Sequence, residues 1–295
     1  MANRRKLETR MDVNRICVIG LGLMGGSLAL ALRGQAALVG VDAAADARRQ
    51  ALQSGVFDRI TDNPAEALPD ADAVILATPV RTILHLLAQL PALRPDGCLV
   101  LDVGSTKGDI TRAMAALPEP FEAIGGHPMC GKETAGFAAA TPDLYRHQTF
   151  ILCRNDRTTP RVETLALDLI RQLGAQPLFL PADAHDTLVA ATSHLPYAVA
   201  AVLMHSVTAL DDGRLWSVSA AGFRDAARLA GSDPQMMLDI LLTNRLAVLA
   251  QLDQYQAHLA ELKRLLLNDD EAALSQWLTA AQRHHTAYRQ KKGET

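Results

Sequence analysis

The stretch ICVIGLGLMGGSLALAL near the start of the chain places Gly20, Gly22 and Gly25 between an apolar run and a segment rich in small residues. A strand followed by GxGxxG and a helix is typical of a dinucleotide-binding turn. Gly20 permits the tight turn, Gly22 lets the backbone approach a pyrophosphate, and Gly25 lets the helix lie close to the strand. The first helical residues, Leu23 and Met24, then present free amides and a positive dipole end to the phosphates.

The next apolar run ends in VGVD, and its carboxylate indicates which dinucleotide is bound. Asp42 lies 22 residues after Gly20, near the spacing at which an acidic side chain accepts hydrogen bonds from the adenine ribose. A carboxylate there repels a 2′-phosphate, so the sequence predicts NAD in preference to NADP. Arg48 and Arg49 follow closely and would weaken that preference.

The first half of the chain alternates short apolar runs with amphipathic stretches. The predicted strands are RICVIG, ALVGVD, DAVILAT, CLVLDVG, FEAIGGH, FILC and PLFLP. Such alternation predicts an α/β fold, a Rossmann-type and mostly parallel sheet with helices on both faces. No strand pattern follows residue 181. We therefore expect a disordered leader at 1–14, a dinucleotide-binding domain at 15–181 and an all-helical substrate and dimerisation domain at 182–295.

Three further residues follow predicted strands at the carboxyl edge of the sheet, where ligands of such folds bind. Thr78 and Pro79 end the run DAVILAT-P, and Gly104 follows CLVLDV. All three are predicted to contact the cofactor.

Composition restricts the partners of the chain. The 295 residues are 49% hydrophobic and carry a net charge of −3, with no basic stripe that would favour a nucleic acid. The four cysteines form no CxxC pair, which favours the reducing cytoplasm over a disulfide-bonded protein. The apolar stretch PYAVAAVLMHSVTAL is shorter than a membrane span, so we expect a soluble protein with no membrane contact.

The second domain has the pattern of long apolar helices. Pro196 interrupts the first of them, and Asp233 with Pro234 begins another that is expected to run to about Leu267. A leucine stripe along this helix needs a partner surface, so we expect a homodimer.

Three segments contain side chains suited to chemistry: DVGSTKG, GGHPMCGKETAG and TSHLPY. His127, in the second segment, follows a strand and lies between glycines and a proline. Histidine titrates near neutrality and can take a proton as a hydride leaves, so His127 is the predicted general base. No cluster has the spacing of metal ligands, and no metal is expected.

These segments, with GLGLMGGSLA and GFRDAARLAGSDPQMMLDI, occur in an order that resembles the prephenate dehydrogenase family. The resemblance covers roughly residues 14–290. It implies a Rossmann domain, a helical dimerisation domain and an active site between them. It also implies NAD-dependent oxidative decarboxylation of prephenate to 4-hydroxyphenylpyruvate, of arogenate to tyrosine, or of both, in tyrosine biosynthesis.

The same resemblance implies the roles of individual residues. His127 removes the proton of the substrate's ring hydroxyl, Ser105 helps to position that hydroxyl, and Arg228 grips a substrate carboxylate. Tyr197 stands where several relatives have a second histidine. The implied substrate-binding residues are Arg228, Ser193, His194, Tyr197, Glu133 and His185.

Two other functions compete with this one. The β-hydroxyacid dehydrogenases also carry GLGxMG, but they use a lysine on a helix of the second domain, and no lysine occurs between Lys132 and Lys263. A non-catalytic NAD-sensing protein would keep the glycine turn and lose the catalytic segments, which are intact here.

Overall fold

A computed structural model describes residues 13–132 and 134–293. Residues 1–12 of the predicted leader lie outside the described residues, and Glu133 does too. The strands are β1 (Arg15–Ile19), β2 (Ala37–Val41), β3 (Arg59–Thr61), β4 (Ala73–Leu76), β5 (Leu99–Asp102), β6 (Glu122–Pro128), β7 (Thr149–Cys153) and β8 (Gln176–Phe179). The helices are α1 (Leu23–Ala31), α2 (Ala45–Ser54), α3 (Pro64–Ala67), α4 (Val80–Leu93), α5 (Gly108–Ala115), α6 (Pro160–Gln172), α7 (Ala182–Val189), α8 (Leu195–Thr208), α9 (Leu215–Val218), α10 (Ala221–Ala227), α11 (Pro234–Thr243), α12 (Arg245–Leu267) and α13 (Glu271–Lys292).

The eight strands form one sheet in the order β3-β2-β1-β4-β5-β6-β7-β8. Six of the seven pairings are parallel, and β6 pairs with β7 antiparallel. The predicted α/β fold with a mostly parallel sheet followed by helices is therefore confirmed. The three-residue strand β3 was not predicted, because its segment RIT is too short to show a period of two.

Alternate residues of the strands are buried in two separate clusters, one on each face of the sheet. Ile16 and Val18 of β1 belong to the first cluster, and Cys17 and Ile19 belong to the second. Strands covered on both faces read as continuous apolar runs, which is why the parallel strands were recognisable in the sequence.

The segment from α7 to α8 is one continuous helical run, and here two expectations are wrong. Pro196 does not interrupt the helix, because a π-helical turn at Ala190–His194 precedes it and widens the backbone where a proline ring would crowd the preceding turn. The apolar stretch is also longer than expected and reaches the length of a membrane span. The helix Ala182–Thr208 has 27 residues, with a mean hydropathy of 1.5 over its most apolar window. Length and composition alone do not establish a membrane span, and this helix bonds to the sheet through buried polar groups described below.

The helix predicted from Asp233 to Leu267 is divided in two. Asp233 caps α11 as expected, since its carboxylate accepts from the Met236 amide at 2.7 Å. Asn244 then separates α11 from α12, because its side chain is bonded to α7 and to the π turn. The chain up to Arg245 forms one compact unit, and a second unit starts at Leu246. The domain boundary placed after residue 181 stays a prediction.

Candidate active site

The glycine turn between β1 and α1 has the shape of a phosphate cradle. Gly20 has φ of +100°, and a Cβ there would lie 2.5 Å from the Ala77 carbonyl oxygen. A Cβ at Gly25 would collide with the Gly20 carbonyl oxygen, so this glycine lets α1 pack against β1. At Gly22, by contrast, a Cβ would meet nothing within 4 Å. Gly22 is the N-cap residue of α1 and no side chain caps this helix, so the amides of its first residues, Leu23 and Met24, remain available for a phosphate.

A buried hydroxyl beside this turn also favours a ligand. Among the described residues, Thr78 Oγ1 is buried and has no hydrogen-bond partner. Such a group is costly to bury alone, and a bound polar molecule would satisfy it. The neighbouring Pro79 is exposed and is the N-cap residue of α4. Gly104 lies on the loop after β5, and its amide donates a hydrogen bond to Asp102 Oδ2 at 2.7 Å. The residues at this edge of the sheet therefore fit a dinucleotide.

Asp42 lies directly after β2, and its carboxylate is fixed by the backbone. Its Oδ2 accepts from the Leu21 amide at 2.7 Å and its Oδ1 accepts from the Ala44 amide at 2.8 Å. Each oxygen keeps a lone pair for a further donor such as a ribose hydroxyl. The Arg48 guanidinium donates to the Asp42 carbonyl oxygen at 2.8 Å and pairs with Asp62 at 3.1 Å, so a cation lies close to the same position.

We expect Asp42→Ser to reduce the preference for NAD over NADP. The substitution removes the carboxylate that we predict to repel a 2′-phosphate, and it leaves the Arg48 guanidinium in place. Loss of a charge-assisted hydrogen bond of this kind lowers kcat/KM with NAD by about tenfold. Steady-state kinetics with both dinucleotides measure the ratio, and Asp46→Ser, an exposed carboxylate on α2, is the matched control. An unchanged ratio would show that Asp42 does not face the ribose.

His127 lies at the end of β6, on the same edge of the sheet. Its Nδ1 is 2.8 Å from Nε2 of His185, and Nδ1 of His185 is 2.8 Å from Oδ1 of Asp186. A carboxylate only accepts, so His185 donates to Asp186 through Nδ1. A His185 ring that carries a single proton, used at Nδ1, accepts at Nε2 from Nδ1 of His127. This arrangement leaves Nε2 of His127 without a proton and able to act as a base.

The electrostatics keep this imidazole neutral. Burial is the largest cause, and His185, Lys107 and His194 add to it, so the pKa of His127 lies well below its ordinary value. Burial opposes ionisation of Asp186, but hydrogen bonds from His185 and from the amides of Lys107 and Gly108 hold the pKa of this carboxyl below its usual range. The chain from Asp186 to His127 therefore joins a carboxylate, the His185 imidazole and a His127 imidazole whose pKa is lowered.

A buried ion pair supports the loop beside the histidine. The Lys107 ammonium bonds to the Asp102 carboxylate, and both side chains are fully buried. Lys107 Nζ also donates to the Gly126 carbonyl oxygen at 2.5 Å, while the Gly126 amide donates to Asp102 Oδ1 at 3.0 Å. The pair thus joins β5, the loop carrying Ser105 and the residue before His127.

Two helical segments and a short 3-10 turn carry most of the remaining predicted site residues. His194 is buried in the π turn and Ser193 beside it is exposed, while Tyr197 is half-buried on α8. Arg228 is exposed in a short 3-10 turn after α10, a turn that packs against α8. Ser105 is half-buried. The hydrogen bonds bring His127, His185 and His194 into one network, and the roles assigned to all these residues stay predictions.

Three members of the network were not predicted as site residues. Asp186 and Lys107 were adjacent to recognised positions, at the residue after His185 and within DVGSTKG, but a sequence does not show which charges are buried together. Asn244 carried no signal at all in a helical apolar pattern. Within the described parts of the chain, no group of three or more His, Cys, Asp or Glu side chains could hold a metal ion.

A Rossmann-type sheet, a glycine turn open to a pyrophosphate and a neutral histidine at the same edge define the class of dinucleotide-dependent dehydrogenases. The comparisons with known proteins identify the family. Residues 28–178 match the family described as prephenate dehydrogenase, nucleotide-binding domain, and residues 181–280 match prephenate dehydrogenase, dimerization domain. The chain belongs to the prephenate dehydrogenase family.

Individual relatives agree with this membership over most of the chain. A prephenate dehydrogenase from Bacillus subtilis is 31% identical over 273 residues, which are 90% of this chain and 74% of the relative. A cyclohexadienyl dehydrogenase from Zymomonas mobilis is 31% identical over 86% of this chain and 89% of its own length. The crystal structure of prephenate dehydrogenase from A. aeolicus in complex with hydroxyphenyl propionate and NAD+ has a TM-score of 0.88 and 27% identity, and the match covers 93% of this chain and 98% of that one.

Proposed function

We propose that this chain catalyses the NAD-dependent oxidative decarboxylation of prephenate, arogenate or both, in tyrosine biosynthesis. The observation that carries the proposal is the orientation of His127, whose Nδ1 is held by His185 and Asp186 so that Nε2 is free to take a proton. The A. aeolicus relative holds NAD+ together with a phenolic acid, which supports the same ligand classes here. The β-hydroxyacid dehydrogenase and the non-catalytic NAD sensor are not favoured by these relatives.

The glycine turn, Asp42 and Thr78 would hold the cofactor, which would supply the hydride acceptor. His127 Nε2 takes the proton of the ring hydroxyl as that group becomes a carbonyl. Loss of the ring carboxylate as carbon dioxide then restores an aromatic ring, and the phenolate oxygen takes the proton back from His127. Ser105 positions the hydroxyl, and Arg228 holds a substrate carboxylate through parallel hydrogen bonds. We expect Ser193, His194, Tyr197 and His185 to complete the substrate pocket, and the resemblance implies Glu133 as a further member.

An assay of NADH formation tests the proposal. The purified chain is supplied with prephenate or arogenate, each with NAD or NADP, and absorbance is followed with and without enzyme. We expect saturable turnover with at least one substrate and faster turnover with NAD. Saturable NAD binding without turnover on either substrate would instead support the non-catalytic sensor.

Arg228→Ala should raise the KM for the substrate by about tenfold to a hundredfold, because a charged hydrogen bond to a carboxylate is lost. The turnover number should change less than KM, since the guanidinium grips a group that does not react. Steady-state kinetics separate the two parameters. Arg224→Ala, an exposed arginine on α10 that lies 3.6 Å from Asp225, is the matched control. An unchanged KM in the Arg228 variant would remove this arginine from the site.

We further infer a soluble, cytoplasmic homodimer. The matched dimerization-domain family covers residues 181–280, and α12 and α13 expose several large apolar side chains. These are Leu246, Leu249, Leu259, Leu266, Leu267, Leu278 and Tyr288. All four cysteines are free thiols, which fits a reducing compartment. Light scattering of the purified protein should give twice the mass of the chain, and a monomer at micromolar concentration would contradict this inference.

A further inference from the structure

Asn244 is a buried amide that contacts two parts of the candidate site. It lies between α11 and α12 and is 5% exposed. Its Nδ2 lies 2.7 Å from the carbonyl oxygen of Asp186 and 3.1 Å from Nδ1 of His194. One amide group therefore touches both the carboxylate residue of the His127 chain and a second histidine.

The direction of these hydrogen bonds follows from the chemistry of the partners. A backbone carbonyl oxygen only accepts, so the side-chain atom beside Asp186 is the amide nitrogen and not the amide oxygen. That nitrogen has only hydrogens to offer, so Nδ1 of His194 must accept the second one. A neutral imidazole that accepts at Nδ1 carries its proton on Nε2.

His194 is held in the neutral form by its surroundings. Burial is the main cause, and His185 on α7 acts in the same direction while Asp186 opposes it, so the pKa of His194 is lowered to about 4. His127 on β6 is the other titratable neighbour. At neutral pH the ring therefore has one proton, and its position depends on Asn244.

We propose that Asn244 is a positioning residue that fixes His194 as a hydrogen-bond donor, through Nε2–H, to an oxygen atom of the substrate. This inference rests on the proposed function for the identity of the substrate. His127 and His194 then have opposite tautomers: the carboxylate of Asp186, acting through His185, leaves the first as an acceptor at Nε2, and the amide of Asn244 leaves the second as a donor at Nε2.

The tautomer itself can be measured without any turnover. Long-range nitrogen–proton correlation spectra of 15N-histidine-labelled protein distinguish a protonated from a bare ring nitrogen, and a His194→Gln variant assigns the signals. We expect Nε2–H for His194 in the unmodified protein. A ring protonated on Nδ1 would overturn the inference, whether or not the protein is active.

Asn244→Asp reverses the polarity at Nδ1, because a carboxylate can only accept. The His194 proton should move to Nδ1, leaving Nε2 without the proton that the inference assigns to it. We expect KM for the active substrate to rise about tenfold to a hundredfold at neutral pH, with a smaller change in kcat. Asn268→Asp, the same chemical change at an exposed position, is the control and should leave KM unchanged.

The pH dependence separates positioning from a merely structural role. The new carboxylate favours the charged form of His194 and so raises its pKa. As pH falls through that value the ring becomes imidazolium and regains Nε2–H, so KM of the Asn244→Asp variant should return toward that of the unmodified enzyme. A KM that stays high at every pH would indicate a structural defect and contradict the inference.

One outcome distinguishes this inference from the proposed function. If the spectra show Nε2–H and the variant shifts it, but neither prephenate nor arogenate is turned over, the tautomer control stands and the proposed function fails. If Asn244→Asp does not fold, Asn244→Ser, which is neutral and smaller, replaces it. The serine variant should show a mixture of both tautomers, and pure Nε2–H in that variant would show that Asn244 does not set the proton.

Discussion

Replacing His127 by asparagine will lower kcat by about a hundredfold to ten-thousandfold, the usual contribution of a general base. The asparagine amide can still donate to Nε2 of His185, so the chain to Asp186 is preserved while the basic nitrogen is lost. KM should change little, because His127 acts on the proton that leaves and not on the substrate carboxylates. Steady-state kinetics on the active substrate measure both parameters.

The control for this variant is His147→Asn. His147 is an exposed histidine in a turn with φ of +64°, a conformation that asparagine tolerates. Its kcat should equal that of the unmodified enzyme. A His127→Asn enzyme that keeps more than about a tenth of its kcat would exclude His127 as the base, since general-base catalysis contributes about a hundredfold or more.

The pH profile of the unmodified enzyme follows from the same residue. Because the pKa of His127 is lowered well below its ordinary value, the imidazole stays unprotonated as pH falls through about 6.5. The acid limb of kcat/KM should therefore begin only at a lower pH, where the base takes up a proton. An acid limb centred near 6.5 would indicate an unperturbed histidine.

Lys107→Met will lower the free energy of unfolding by about 3–5 kcal/mol, the usual cost of breaking a buried ion pair from one side. The substitution leaves the fully buried Asp102 carboxylate without its ammonium partner. It also removes the bond from Nζ to the Gly126 carbonyl oxygen, the residue before His127. Urea denaturation at one fixed protein concentration measures the effect.

Two further variants make this result specific. Lys132→Met removes an exposed ammonium that donates to the Ala139 carbonyl oxygen, and we expect a change within about 0.5 kcal/mol. The double variant Asp102→Asn, Lys107→Met removes both charges and should recover part of the lost stability. If Lys107→Met is no less stable than the Lys132 variant, the pair does not hold this part of the sheet.

The parts of the fold that the sequence predicted are those governed by local pattern. Apolar runs showed the strands buried on both faces, and the glycine spacing showed the turn because Gly20 and Gly25 have no room for a side chain. The helical run at Ala182–Thr208 was predicted to be interrupted because it contains Pro196. No local sequence rule predicts the π turn that accommodates this proline. Asn244 divides a predicted helix, and its side chain forms hydrogen bonds with Asp186 and His194, which are far away in the sequence.

The same distinction holds for the site. His127 was predictable because it lies at the end of a strand at the ligand-binding edge, and His185 and His194 entered through the resemblance. Asp186 and Lys107 became members of the site only through burial and pairing, which depend on how α5 and α7 pack. A sequence shows which residues are able to do chemistry, but the packed structure decides their protonation and tautomers.

We propose that His127 takes the ring-hydroxyl proton at Nε2 while His185 holds Nδ1. A crystal structure of the protein with NAD+ and the phenolic product of the active substrate tests it most directly. We expect the ring hydroxyl oxygen within about 2.6–3.2 Å of Nε2, with the bond from Nδ1 to His185 intact. A hydroxyl oxygen bound elsewhere, with the His127 ring turned away from it, would contradict the account.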